Sequence, residues 1–223
     1  MPEDILTEVG TEDEYDGVYS FSELSDEAKQ RVIDDYAANV MNYEWWNFFY
    51  DYWGKDQLPD MGYEDAEIEF SGFGSQGDGA SFTASVDVPK WIKAHGMESQ
   101  FPVIAEALNK EMADIGAGIY RYSGGHYVHQ NTIGATVDAS FYGEDDAELG
   151  EQDLLVFVPD ISSEAFDAEV LELEQALTED ARSVSMDIYK DLEHEYDYQV
   201  SEEHVAEMSD ANEWKYDEEG NMV

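Results

Sequence analysis

One residue in five of this chain is a negative charge without a positive counterpart, and that surplus constrains the fold before any motif is considered. Among 223 residues there are 54 carboxylates and 10 basic side chains, for a formal charge of −44. A polyanion of this density repels nucleic acid and anionic lipid headgroups, which excludes both as direct partners. Self-repulsion also opposes compaction, so a fold must turn the carboxylates outward and bury enough apolar surface to offset them. The chain has that surface. Apolar residues make up 43% and aromatics 13%, with 15 Tyr, 10 Phe and 5 Trp, whereas disordered acidic tails are poor in aromatics. Length points to a single domain over 15–223 behind a polar, flexible N-terminus at 1–14. Cysteine is absent, which excludes disulfides, thiolate metal sites and cysteine nucleophiles. The N-terminus lacks the basic-then-apolar order of a signal peptide. The longest apolar run, Leu154 to Val158, is far short of the ~20 residues that span a bilayer. The expectation is a soluble, cytoplasmic protein with no membrane partner.

The charge is uneven. Residues 1–80 hold 21 acids and 3 bases, residues 81–140 hold 6 and 4, and residues 141–223 hold 27 and 3. Val18 to Phe21 alternates like a short strand. Ser25 followed by Asp26 and Glu27 starts a helix that Ala28, Val32, Ile33, Tyr36 and Val40 carry to about residue 40. Tyr43 to Trp53 reads as its continuation, ending near Gly54, and holds eight aromatics. They cannot all face inward, so most are expected in the core and the rest half-exposed, a candidate seam for a homodimer. Ala66–Phe73 and Ala80–Val88 read as strands joined by the glycine-rich segment 74–79. Pro102 opens a helix to about Ile115, and Gly118–Tyr122 and Thr132–Tyr142 read as two more strands. An acidic loop at 143–153 leads to one long helix over 162–198, with a candidate kink at Thr178 to Arg182. A short helix follows from Ser201, and Glu213 to Tyr216 is a candidate edge strand. The class is α+β: a roughly four-stranded antiparallel sheet packed with helices, with a long acidic C-terminal helix.

No motif in the chain asks for catalysis. The glycines at 72–79 lack the Lys-Ser/Thr of a phosphate loop, and Asp78 would repel a phosphate, so a hairpin needing positive φ explains them. His126 and His129 sit near many carboxylates, but in a strand residues three apart point to opposite faces. Glu144-Asp145-Asp146-Ala147-Glu148 lacks the alternating ligands and central glycine of a calcium loop. A Gly-x-Ser-x-Gly elbow is also missing. Neither enzyme activity, metal nor cofactor is expected.

The segments Phe21-Ser22-Glu23-Leu24-Ser25-Asp26-Glu27-Ala28-Lys29 and Phe70-Ser71-Gly72-Phe73-Gly74-Ser75-Gln76-Gly77-Asp78-Gly79-Ala80 resemble a set of acidic phage-encoded proteins without an assigned activity. So does the C-terminal Leu192-Glu193-His194-Glu195-Tyr196-Asp197-Tyr198 with Ser201-Glu202-Glu203 and Ala211-Asn212-Glu213, and Tyr127-Val128-His129 lies where such proteins carry a His-containing strand. The resemblance covers about half the chain in scattered pieces. It implies a phage or prophage origin, hence a host cytoplasm, and carries over no catalytic residue. The chain departs from that set at 143–153 and in the following helix, where acids are unusually dense.

That helix is the most informative feature. At roughly 1.5 Å per residue it is about 55 Å long. It carries Glu164, Asp167, Glu169, Glu172, Glu174, Glu179, Asp180, Asp187, Asp191, Glu193, Glu195 and Asp197 against only Arg182 and Lys190. That is about one net charge per 5.5 Å, against about one per 3.4 Å for a DNA strand. With Glu144, Asp145, Asp146 and Glu148 they form a candidate acidic face. The expected function is a phage-encoded DNA mimic that blocks the DNA channel of a basic host protein, in defence (restriction-modification or CRISPR-type) or nucleic-acid processing. The alternative is salt adaptation of a phage protein with some other binding function. Few lysines and no cysteine fit it; the excess of 29 Glu over 25 Asp and the nearly neutral middle fit less well.

Overall fold

The computed structural model describes residues 17–122, 128–142 and 162–223. The chain, expected as one domain, divides into two compact units, 45–194 and a smaller one built from residues up to 44 and from 195 onward.

The larger unit contains the expected sheet. Strands β1 (Tyr63–Phe70), β2 (Ala80–Val86), β3 (Ala113–Arg121) and β4 (Ile133–Phe141) lie in the order β1-β2-β3-β4. Every neighbouring pair is antiparallel. Period-two alternation turns Ile68, Phe82, Val86, Ile119, Ile133 and Ala135 to one buried face. Helix α6 (Ser163–Gln199) contributes Phe166, Leu173, Leu177, Ala181, Ile188 and Leu192 to the same core, a stripe recurring every four or seven residues. The helix is unbroken through Thr178–Arg182. There Thr178 Oγ1 donates to the Glu174 carbonyl (2.9 Å) and accepts from Ala135 N (2.9 Å).

Several boundaries differ from expectation for identifiable reasons. β1 begins at Tyr63, three residues early, because a bulge between Glu64 and Glu67, with Asp65 at φ 52°, disrupts the alternation there. The helix from Pro102, α5 (Pro102–Asn109), stops six residues before Ile115. Glu111 adopts φ 56° and turns the chain, which frees Ala113 onward to form β3. Helix α4 (Val88–Ala94) takes the end of the expected second strand; Asp87 caps it, accepting from Lys90 N (3.0 Å).

The aromatic run is not one helix. It breaks before α2 (Asn47–Asp51), then passes Gly54 in a wide turn over Tyr52–Gln57 to α3 (Leu58–Asp60). Residues five apart lie about 140° apart on a regular α-helix, whereas i→i+5 bonding brings Trp53 and Leu58 to one buried side. Trp45, Trp46, Phe49 and Tyr50 pack half-buried on the core, while Phe48 and Tyr52 are exposed.

Two glycines fit close approaches. Gly62 has φ 94°, and a Cβ there would lie 2.7 Å from Trp91 N. Gly62→Ala is expected to cost roughly 3 kcal/mol, read as a lower urea midpoint with unchanged slope. In the glycine-rich hairpin Gly72, Gly74 and Gly77 all have positive φ, and a Cβ on Gly79 would lie 2.4 Å from His129 Cβ.

In the smaller unit, Ser25 caps α1 (Asp26–Asn39) and Ser201 caps α7 (Glu202–Ala211), accepting from Ala28 N and His204 N at 3.2 Å each. Phe21, Leu24, Ala28, Val32, Val205 and Tyr216 form its core. The two expected short strands reduce to single bridges, Tyr19 with Tyr216 and Tyr216 with Met222.

Candidate partner-binding surface

The exposed side of α6 follows from its buried stripe. Among the candidate carboxylates, Glu164, Asp167, Glu172, Glu179, Asp187, Glu193 and Asp197 are exposed. From Glu164 through Glu172, Glu179 and Asp187 to Glu193 the steps are six to eight residues, so along the helix axis these charges are spaced roughly 9–12 Å apart. Leu171 and Met186 are exposed among them, and Lys190 Nζ lies 2.9 Å from Asp187. This row is sparser than the sequence count implied, because part of the acid content of the helix is turned inward.

Four of the candidates act inside the larger unit. Glu169 accepts from Val103 N (3.1 Å) and Ile104 N (2.9 Å), capping α5, whose own N-cap residue Phe101 offers no acceptor. Asp191 accepts from Trp53 Nε1 (3.0 Å) and Glu174 from Val137 N (3.4 Å). Asp180 is the most heavily used: its Oδ2 accepts from Tyr63 Oη (2.5 Å) and Trp91 Nε1 (3.1 Å) and lies 3.2 Å from His95 Nε2. Trp91 also donates to Tyr63 Oη (3.1 Å), and His95 donates through Nδ1 to the Trp91 carbonyl (2.8 Å) while stacking on its ring. This constellation locks β1, α4 and α6 together. In the smaller unit Glu195 accepts from Gln199 Nε2 (2.8 Å). Glu144, Asp145, Asp146 and Glu148 lie outside the described residues, as does His126.

A second acidic surface was not foreseen. Opposite the buried face of the sheet, Glu67, Glu69, Asp114 and Asp138 are exposed among small residues such as Ser85, Gly116, Thr136 and Ser140. The cross-strand partners Asp114–Ser140 and Gly116–Asp138 place these acids on one face. The signal was there in the alternation of each strand, but the acids are scattered over three strands and show no run in the sequence.

Basic side chains do little to offset these charges beyond their immediate neighbours. Seven of the ten are ion-paired to a carboxylate. Arg182 donates to the Ile133 carbonyl (3.1 and 3.3 Å). His129 Nδ1 accepts from Asn131 N (3.0 Å), and among the described residues no three His, Asp or Glu side chains are grouped to hold a metal ion. No helix among them is long and apolar enough to cross a membrane.

Burial also perturbs phenols. Burial and then the charge of Glu69 push Tyr50 up to about 12; burial and then the Asp180 charge push Tyr63 up. In the unfolded chain both ionise near pH 10. The contribution of Tyr50 to stability is therefore complete below about pH 10 and is lost as pH rises toward about 12, and that of Tyr63 starts to fall at the same point and goes on falling above it. Urea midpoints should fall over that window, and Tyr50→Phe should flatten the fall.

A family model described as a domain of unknown function (DUF8835) matches residues 45–202, most of the chain. The matched segment begins where the larger unit begins and ends at the first residue of α7. No curated protein and no solved structure matches the chain.

Proposed function

Since the chain belongs to the DUF8835 family, whose description assigns no activity, we propose a function from its own surface. It is a binding protein that presents fixed carboxylates, in place of phosphates, to the basic nucleic-acid-binding surface of a partner, such as a defence or nucleic-acid-processing protein of a phage host. One observation carries this reading: exposed acids stand on rigid elements while most of the few basic side chains are already ion-paired. Such a surface attracts cationic partners over about a Debye length and repels polyanions. Partner affinity is expected to fall at least tenfold between about 50 and 200 mM salt, measured by titration calorimetry. Salt-independent binding would contradict it.

Dispersal of the acids favours a second reading, salt adaptation. They lie on both the outward face of α6 and the open face of the sheet. The near-neutral middle of the sequence no longer argues against it, since that segment supplies β2, β3 and most of β4 to the core. The two readings separate in dilute buffer. A mimic folds cooperatively at about 20 mM salt, where screening is weak; a salt-adapted chain unfolds there and recovers at molar salt.

A further inference from the structure

We propose that the smaller unit carries a receptor for one organic cation with an apolar stem, the ammonium or guanidinium end of a lysine or arginine side chain borne by a protein partner. The site is a cleft of about 350 Å³ between α1 and the C-terminal segment. Its walls are aromatic. Tyr36 and Tyr43 lie with ring centroids 5.9 Å apart and nearly parallel planes (19°), and Trp214 stands 6.4 Å from Tyr36 at 48°. Ring faces attract a cation placed within about 6 Å, most strongly for Trp and Tyr.

The charge in the cleft has one sign. Asp35, the residue before Tyr36, is exposed and lines it, and no basic side chain is among the lining residues. Asn39 is held within α1, its amide donating to the Asp35 carbonyl (2.8 Å). Tyr43 and Met222 line the cleft and are 51% and 60% exposed, so apolar surface lies open around a carboxylate. That pairing suits the methylene stem and charged head of a long basic side chain, which buries its stem while keeping its head polar. A neutral apolar ligand would leave Asp35 unused, and an anion would be repelled.

All lining residues belong to the smaller unit and lie outside the segment matched by the family. The cleft is thus independent of the acidic surface of the larger unit, and either proposal stands if the other fails.

The test follows the Trp214 indole resonance, assigned with Trp214→Phe, during titration of the whole chain. Butylguanidinium is expected to give saturable millimolar binding, with its neutral isostere butylurea at least about fivefold weaker. Asp35→Asn, at an exposed position, should weaken butylguanidinium about fivefold and leave butylurea unchanged, with the thermal midpoint preserved as a control of folding. A capped Gly-Arg-Gly peptide should bind at least as well as butylguanidinium. Equal binding of butylurea, an unaltered Asp35→Asn titration, or no shift at Trp214 overturns the cation site. Rejection of the capped peptide while free butylguanidinium binds overturns a side chain as its occupant.

Discussion

Asp180→Ala is expected to lower the stability of the larger unit by about 3 kcal/mol, as measured by urea unfolding at neutral pH. The loss exceeds that of an ordinary surface acid because of what remains behind. Tyr63 and Trp91 are fully buried, and both direct a polar hydrogen at Asp180. Without the carboxylate, these donors lose their charged acceptor in a place where water has little access. His95 Nε2 loses the carboxylate oxygen 3.2 Å away as well. The Asp180 side chain is about one-fifth exposed, so the figure is set below that for breaking a fully buried ion pair. Asp180→Asn keeps the shape and one acceptor oxygen and should cost less, about 1–2 kcal/mol. The neighbouring Glu179 is exposed, and Glu179→Ala should stay within about 0.5 kcal/mol. If Asp180→Ala proved as mild as Glu179→Ala, the constellation would not be holding the helix to the sheet.

Such inward acids explain how far the sequence could be read. Alternation and helical spacing were enough for a four-stranded antiparallel sheet and the long C-terminal helix, because burying one face imposes periods of two and 3.6. The bulge at Glu64–Glu67 and the left-handed Glu111 were not visible, since each breaks a period at a point where the residue type does not demand it. The acidic helix was legible as a helix but not as a surface. Glu169, Asp180 and Asp191 are spaced eleven residues apart, three turns of helix, so they form one line beside the buried stripe. That spacing was available in the sequence. Its meaning depended on the donors of Val103, Ile104, Tyr63, Trp91 and Trp53, which come from remote segments. A carboxylate beside an apolar stripe is as consistent with a solvated rim as with an internal cap.

The outward acids carry the second large effect. Reversing Glu172, Glu179 and Glu193 to lysine changes the local charge of the exposed α6 row by six units and touches none of the inward carboxylates. Affinity for a basic partner at about 50 mM salt should fall by about a hundredfold or more, with the salt dependence reduced in parallel. Folding should survive, since these are exposed positions without a buried partner. Reversing Asp114 and Asp138 on the open sheet face asks the same of the other surface, and the larger loss of affinity identifies the face that is used. Equal, small losses from both would point to a diffuse charge whose arrangement does not matter, as salt adaptation predicts.

In the proposed function these carboxylates occupy a site made for phosphates, and competition with nucleic acid measures whether they do. A partner captured from nuclease-treated lysate of the source cell is purified and bound to a labelled duplex, and the chain is titrated in while anisotropy is followed. Complete displacement of the duplex is expected at low salt, with an inhibition constant equal to the dissociation constant measured by titration, and the displacement is lost for the three-lysine variant. A partner that holds duplex and chain together, or that has no affinity for nucleic acid, would contradict it.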